Sequence, residues 1–126
     1  MTFQTLSAEN AAPPVGPYSP AIKVGHFLYI SGQIPLDSHG TMVTGDFEAE
    51  TRQVCQNISA LLNKAGCGWE HLVKVGIFTT DLSKFELINA VYSEFVRPPY
   101  PARAAVEVAG LPKGARIEME AIAYVK

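Results

Sequence analysis

The sequence predicts an α+β fold, a mixed β-sheet with two helices on one face. Two observations carry this. Strand-like and helix-like runs follow in the order strands, helix, strand, helix, two strands, which suits helices laid over a shared sheet. Two stretches repeat their apolar residues with a helical period, whereas the others alternate or run apolar over short lengths. Of the 126 residues 48% are hydrophobic, which fits one domain spanning residues 1–126 and excludes a disordered chain.

Residues 3–6 read as a short first strand. Residues 10–20, NAAPPVGPYSP, hold too many prolines for a helix or a central strand and form a stiff loop. The loop carries Tyr18 between two prolines, a ring that either packs over the sheet end or touches a ligand. Residues 21–24 and 27–31 are strands around a Gly25-His26 turn. The second ends in Ser31-Gly32-Gln33, where the glycine lets a backbone or ligand approach between a hydroxyl and an amide. Residues 37–45 are a polar loop.

Residues 46–65 are the clearest helix. Asp46 caps it, Glu48 and Glu50 favour its positive end, Lys64 lies near the other end, and Gly66 stops it. Phe47, Thr51, Val54, Ile58, Leu61, Leu62 and Ala65 form its core stripe. Residues 72–80 are a strand with Val73, Val75 and Ile77 on one face. Ser83 and Glu86 fit a capping box that opens a second helix, running to about Phe95. Asn89 lies within its stripe beside Phe85 and Tyr92. A buried amide left unbonded costs about 1–3 kcal/mol, so it needs a partner, for which bracing a loop backbone is the favoured use.

Residues 101–125 read as a hairpin of two strands. Alternation puts Arg103, Ala105 and Glu107 on one face of the first strand and Glu118 and Glu120 on one face of the second. The expected result is one guanidinium and three carboxylates on a sheet face. Such a group is either a site held on rigid strands or a set of ordinary surface ion pairs. With both helices on one side, the other face of the sheet must meet solvent or another subunit.

Several classes of chemistry have no support. Net charge is -2 with no basic run, which argues against nucleic acid as the main partner. His26, His39 and His71 show no metal-ligand spacing, and no GxSxG elbow or phosphate-cradling loop is present. Cys55 and Cys67 form no CxxC unit and are expected to be free thiols in a reducing compartment. No stretch is long and apolar enough for a membrane span, and the N-terminal residues do not read as a signal peptide, so a cytoplasmic protein is expected. What remains is Arg103, Glu107, Glu118, Glu120, Tyr18, Ser31 and Asn89. That set suits binding a small carboxylate with a water beside it and does not by itself identify a reaction.

GPYSPA at residues 16–21, ISGQIP at 30–35, the helix-one pattern around 51–57, INAVY at 88–92 and YPARAAVEVAGLPKGARIEMEAIA at 100–123 together resemble the RidA (YjgF) family of reactive-intermediate deaminases. The resemblance implies a chorismate-mutase-like fold and a homotrimer with a barrel-like centre and ligand sites between subunits. It implies cofactor-independent hydrolysis of enamine and imine intermediates, such as 2-aminoacrylate and 2-aminocrotonate, to 2-oxo acids and ammonia. Arg103 matches the arginine that grips the substrate carboxylate, and Glu118 the acid that positions water, with Glu120 in reserve. Tyr18, Ser31, Gly32 and Asn89 match pocket-lining positions. Ala105 stands at a pocket position where many members carry Cys, so no mechanism through that thiol is open to this chain. Two other functions are weighed: a non-catalytic 2-oxo acid-binding or regulatory module, and a ribonuclease or translation inhibitor, which the charge disfavours.

Overall fold

The computed structural model describes residues 3–126. Its frame is a six-stranded sheet of β1 (Phe3–Leu6), β2 (Ala21–Val24), β3 (Phe27–Gln33), β4 (Leu72–Thr79), β5 (Ala102–Glu107) and β6 (Ile117–Tyr124). The spatial order is β1-β2-β3-β6-β4-β5, and only the β4–β5 pair is parallel. Helices α1 (Phe47–Lys64) and α2 (Phe85–Tyr92) complete the α+β arrangement.

Local chemistry explains the helix ends. The Asp46 carboxylate accepts from the Glu48 amide at 3.1 Å, and Gly66 follows the helix at a φ of 78° that favours glycine. α1 then buries Val54, Ile58, Leu61 and Leu62 completely against a sheet face that includes Leu28, Val75, Ile77, Ile117 and Met119. At about 1.5–3 kcal/mol for each large apolar side chain, this layer is the main stabilising element. Asn57, also in α1 and fully buried, donates from Nδ2 to the Ile34 and Leu36 carbonyls at 3.2 and 2.9 Å. The loop-bracing amide is therefore Asn57, not Asn89.

The second helix is shorter than expected. Asp81, not Ser83, accepts at its start, and a single 3-10 turn over Leu82–Lys84 leads into α2, which ends at Tyr92. In β4 the register shifts between Leu72 and Lys74, so Leu72 is buried while Val73 is exposed and leaves the row of Val75 and Ile77.

The expected hairpin of residues 101–125 does not form. β4 lies between β5 and β6, because the crossover through α2 returns β5 parallel to β4 while β6 takes the other edge. Register then separates the charged rows. Arg103 lies beside Val75, and Val75 beside Ala121, so Arg103 is on the helix-covered face. Glu118 lies beside Phe78 and Glu120 beside Gly76, on the opposite face. Alternation within β5 and β6 holds, but the guanidinium and the two glutamates of β6 do not share a face.

Both helices sit on Arg103's side: α1 against β3 and β6, and α2 against α1 and over Arg103. Neither covers the opposite face, where Phe27, Tyr29, Val106 and Tyr124 are exposed. No helix among the described residues is long and apolar enough to cross a membrane.

Candidate functional site

The predicted site residues fall into two groups. The first surrounds Arg103 at the edge of the helix layer. Its Nη1 donates to Asn89 Oδ1 at 2.7 Å, and its guanidinium carbon lies 5.3 Å from the Phe85 ring centre and 5.1 Å from that of Tyr92. A cavity of about 370 Å³ opens here, lined by Arg103, Asn89, Tyr92, Ser93, Val96 and Tyr100. Arg52 binds Glu48 and Glu94, and Arg116 binds Glu50, but among the described residues Arg103 has no carboxylate partner. Ala105, half-buried, lies two residues on along the same face, beside Ile77.

The second group surrounds Glu118. This half-buried carboxylate lines a cavity of about 220 Å³ with Val15, Tyr18, Gly32, Ile34 and Pro112. Burial, and then the charge of Glu120, raise its pKa above the ordinary glutamate value. Gly32 makes the position possible, since a Cβ there would stand 2.6 Å from Glu118 Oε2. Ser31 ties the proline-rich loop to β3: its Oγ donates to the Ser19 carbonyl at 2.6 Å and its amide to the Pro20 carbonyl at 2.9 Å. That loop holds the half-exposed Tyr18, whose hydroxyl accepts from the Val15 amide at 3.2 Å.

The remaining glutamates separate from these groups. Glu107 accepts from the Leu82 amide at 2.8 Å and so serves the turn before α2. Glu120 is exposed over Gly76, in a neighbouring cleft of about 610 Å³ that includes Tyr18, Ser31, Tyr29 and Lys74. Among the described residues no three His, Cys, Asp or Glu side chains gather to hold a metal ion. Both cysteines are free, and burial pushes the Cys55 thiol up to about 12.

A family model described as Endoribonuclease L-PSP matches residues 8–125. The chain belongs to this YjgF/RidA family. Among the RidA-family relatives, a RutC family protein of Pyrococcus abyssi is 48% identical over 125 residues, covering 98% of each chain. A human protein named 2-iminobutanoate/2-iminopropanoate deaminase is 40% identical over 121 residues, 95% of this chain and 88% of that one. The structure of RidA from an Antarctic Psychrobacter matches with a TM-score of 0.93 and 43% identity, over 97% of this chain and 99% of that one. That of Escherichia coli TdcF with bound serine matches with a TM-score of 0.90 and 32% identity, over 98% and 99%. The fold is therefore that of the RidA structures.

By the sequence alone Phe85 and Tyr92 belong to the apolar stripe of the second helix. The signal that could have placed them at the site was the polar Asn89 between them on one helical stripe, at spacings of four and three residues.

Proposed function

We propose that this chain is a 2-imino acid deaminase, hydrolysing 2-iminobutanoate and 2-iminopropanoate to 2-oxo acids and ammonia. The observation that carries it is the Arg103 fork, fixed by Asn89 and two rings beside a cavity, with no carboxylate partner among the described residues. A planar guanidinium matches a carboxylate through two parallel N–H···O bonds, which an ammonium cannot do. Similar proteins from human, cattle and mouse bear the deaminase name.

In this mechanism Arg103 holds the substrate carboxylate. Glu118, whose raised pKa brings it closer to a useful base strength, orients a water toward C2 of the protonated imine and takes its proton. The C–O bond forms as the C=N pair moves to nitrogen, and Glu118 passes its proton to that nitrogen. The C–N bond then breaks with loss of ammonia, while the carbinolamine hydroxyl gives its proton back to Glu118 to leave the 2-oxo acid. Ser31, Gly32 and Tyr18 line the Glu118 side, where Tyr18 excludes bulk water. Ala105 leaves the Arg103 side without a thiol. No cofactor takes part, and the enzyme acts in the cytoplasm.

Because Arg103 and Glu118 lie on opposite faces of the sheet, the site is completed between copies of the chain. A homotrimer fits this, with neighbours covering the exposed Phe27, Tyr29, Val106 and Tyr124.

The test couples the protein to a dehydratase that releases the imine and follows its disappearance. Arg103→Ala should abolish acceleration while leaving the oligomer intact, and Glu118→Gln should lower kcat more than substrate capture. A wild-type protein that binds 2-oxobutanoate without accelerating hydrolysis is a binding module instead. The family model's description raises a ribonuclease reading, which a net charge of -2 does not favour. Tight, salt-dependent RNA binding would reverse that order.

A further inference from the structure

Tyr92 plays no part in the proposed chemistry, yet it is the most constrained aromatic beside Arg103. Its side chain is only 6% exposed, and its hydroxyl has no hydrogen-bond partner among the described residues. A buried, unbonded hydroxyl is a cost that phenylalanine would avoid, so what the side chain contributes here comes from its ring. One side of the ring meets the Arg103 guanidinium at 5.1 Å. Trp69 meets the same ring edge-on at 6.0 Å, Phe95 lies tilted against Trp69 at 5.3 Å, and the Trp69 indole donates to Ser59 Oγ at 2.7 Å. Tyr92 is thus the middle of an aromatic series running from a hydrogen bond on α1 to the guanidinium.

Phe85 approaches the guanidinium at 5.3 Å, and Asn89 Oδ1 accepts from Nη1 at 2.7 Å. These three residues stand on consecutive turns of α2. Two ring contacts and one in-plane hydrogen bond constrain both the position and the tilt of a planar cation. A bidentate carboxylate link needs that tilt, because both N–H···O bonds must lie in one plane.

We propose that Tyr92, with Phe85 and Asn89, is a positioning residue that fixes the plane of Arg103 for carboxylate recognition. The inference rests on the deaminase reading for its ligand, and the ring face rather than the hydroxyl does the positioning. The hydroxyl oxygen is buried away from solvent and has no partner among the described residues.

A double-mutant cycle with Arg103→Lys tests it, since a lysine ammonium has no plane to orient. Tyr92→Leu should weaken 2-oxobutanoate binding and raise KM by about tenfold, the scale of one partly desolvated cation–π contact, with kcat changed less. In the Arg103→Lys background, where the ammonium keeps a ring contact but has no plane to orient, the same substitution should cost clearly less. Tyr92→Phe keeps the ring and should retain wild-type binding, with equal or higher thermal stability. Nitrogen relaxation at Arg103 Nε supplies a readout independent of turnover: rigid in wild type and Tyr92→Phe, mobile in Tyr92→Leu. Equal losses in the Arg and Lys backgrounds, or a loss in Tyr92→Phe, would overturn the proposal, as would a mobile Arg103 in wild type. A rigid Arg103 that Tyr92→Leu releases, in a protein that neither binds 2-oxobutanoate nor hydrolyses imines, overturns the deaminase reading and leaves the orienting role supported.

Discussion

Two glycines on the strands that flank β6 allow the water-positioning glutamate to be identified by adding one methyl group at a time. Gly32 and Gly76 both lack positive φ angles, so alanine at either tests space rather than backbone conformation. At Gly32 the new Cβ would stand 2.6 Å from Glu118 Oε2 and 2.8 Å from its Cδ. Ordinary contacts of this kind lie near 3.5 Å, so the carboxylate must move by about 1 Å. The Glu118 side chain can swing aside at little cost, which leaves stability nearly unchanged. Catalysis tolerates such a shift poorly, because a misplacement of about 1 Å can lower a rate by about 10²-fold. At Gly76 the added Cβ would stand 3.2 Å from Glu120 Cγ and Oε2, a contact that a small adjustment relieves. In the dehydratase-coupled assay Gly32→Ala should therefore lose about 10- to 10²-fold in kcat, and Gly76→Ala should stay within about threefold of wild type. Thermal melts of both should overlay the parent. A Gly32→Ala enzyme with normal kcat would refute the role of Glu118, and a selective loss in Gly76→Ala would transfer it to Glu120.

Three further outcomes follow from the same geometry. The kcat/KM profile should fall on the acid side with a midpoint above the ordinary glutamate value of about 4.5, since Glu118 works ionised and its pKa is raised. Glu120→Gln should move that midpoint down without returning it to 4.5, because burial, the larger cause, remains. For stability the sign is opposite: a pKa raised in the folded state favours the protonated form, and its contribution is lost as pH rises, so Glu118→Gln should melt no lower than wild type at neutral pH. Arg116→Ala should be costly, since it strands Glu50, which is 3% exposed and bound through Nε and Nη2 at 3.0 and 2.5 Å. Arg116 is itself partly exposed, so the loss should be about 2 kcal/mol, roughly 6–10 °C in Tm at fixed protein concentration. A shift below about 1 °C would mean the ion pair adds nothing net.

Local chemistry in this chain is strongly written in its residues. Asp46 and Gly66 bound α1, Gly25 marks the first hairpin, and the stripe of α1 is the observed core. Pairing between strands is not written there, because side-chain alternation distinguishes the two faces of one strand and carries no information about its neighbour. Residues 101–125 therefore read as a hairpin, although β4 separates the two strands. The same ambiguity placed Arg103, Glu107, Glu118 and Glu120 together, when register sends Arg103 and Glu118 to opposite faces and Glu107 caps a turn. Asn89 is legible as a polar residue in an apolar stripe, but its partner Arg103 lies on the following strand, and only the folded crossover brings the two together. The apolar outer row of β2, β3 and β6, with Tyr29 and Tyr124 exposed, was foreseen only as an uncovered face.

The separation of Arg103 from Glu118 makes subunit complementation the most direct test. Arg103→Ala and Glu118→Gln are each expected to be inactive alone. When the two are co-refolded in equal amounts, sites that take Arg103 from one copy and Glu118 from the next should be rebuilt, and about a quarter of wild-type activity should return in a cyclic oligomer. A mixture no more active than its parents, with mixed oligomers present, would contradict a site shared between copies.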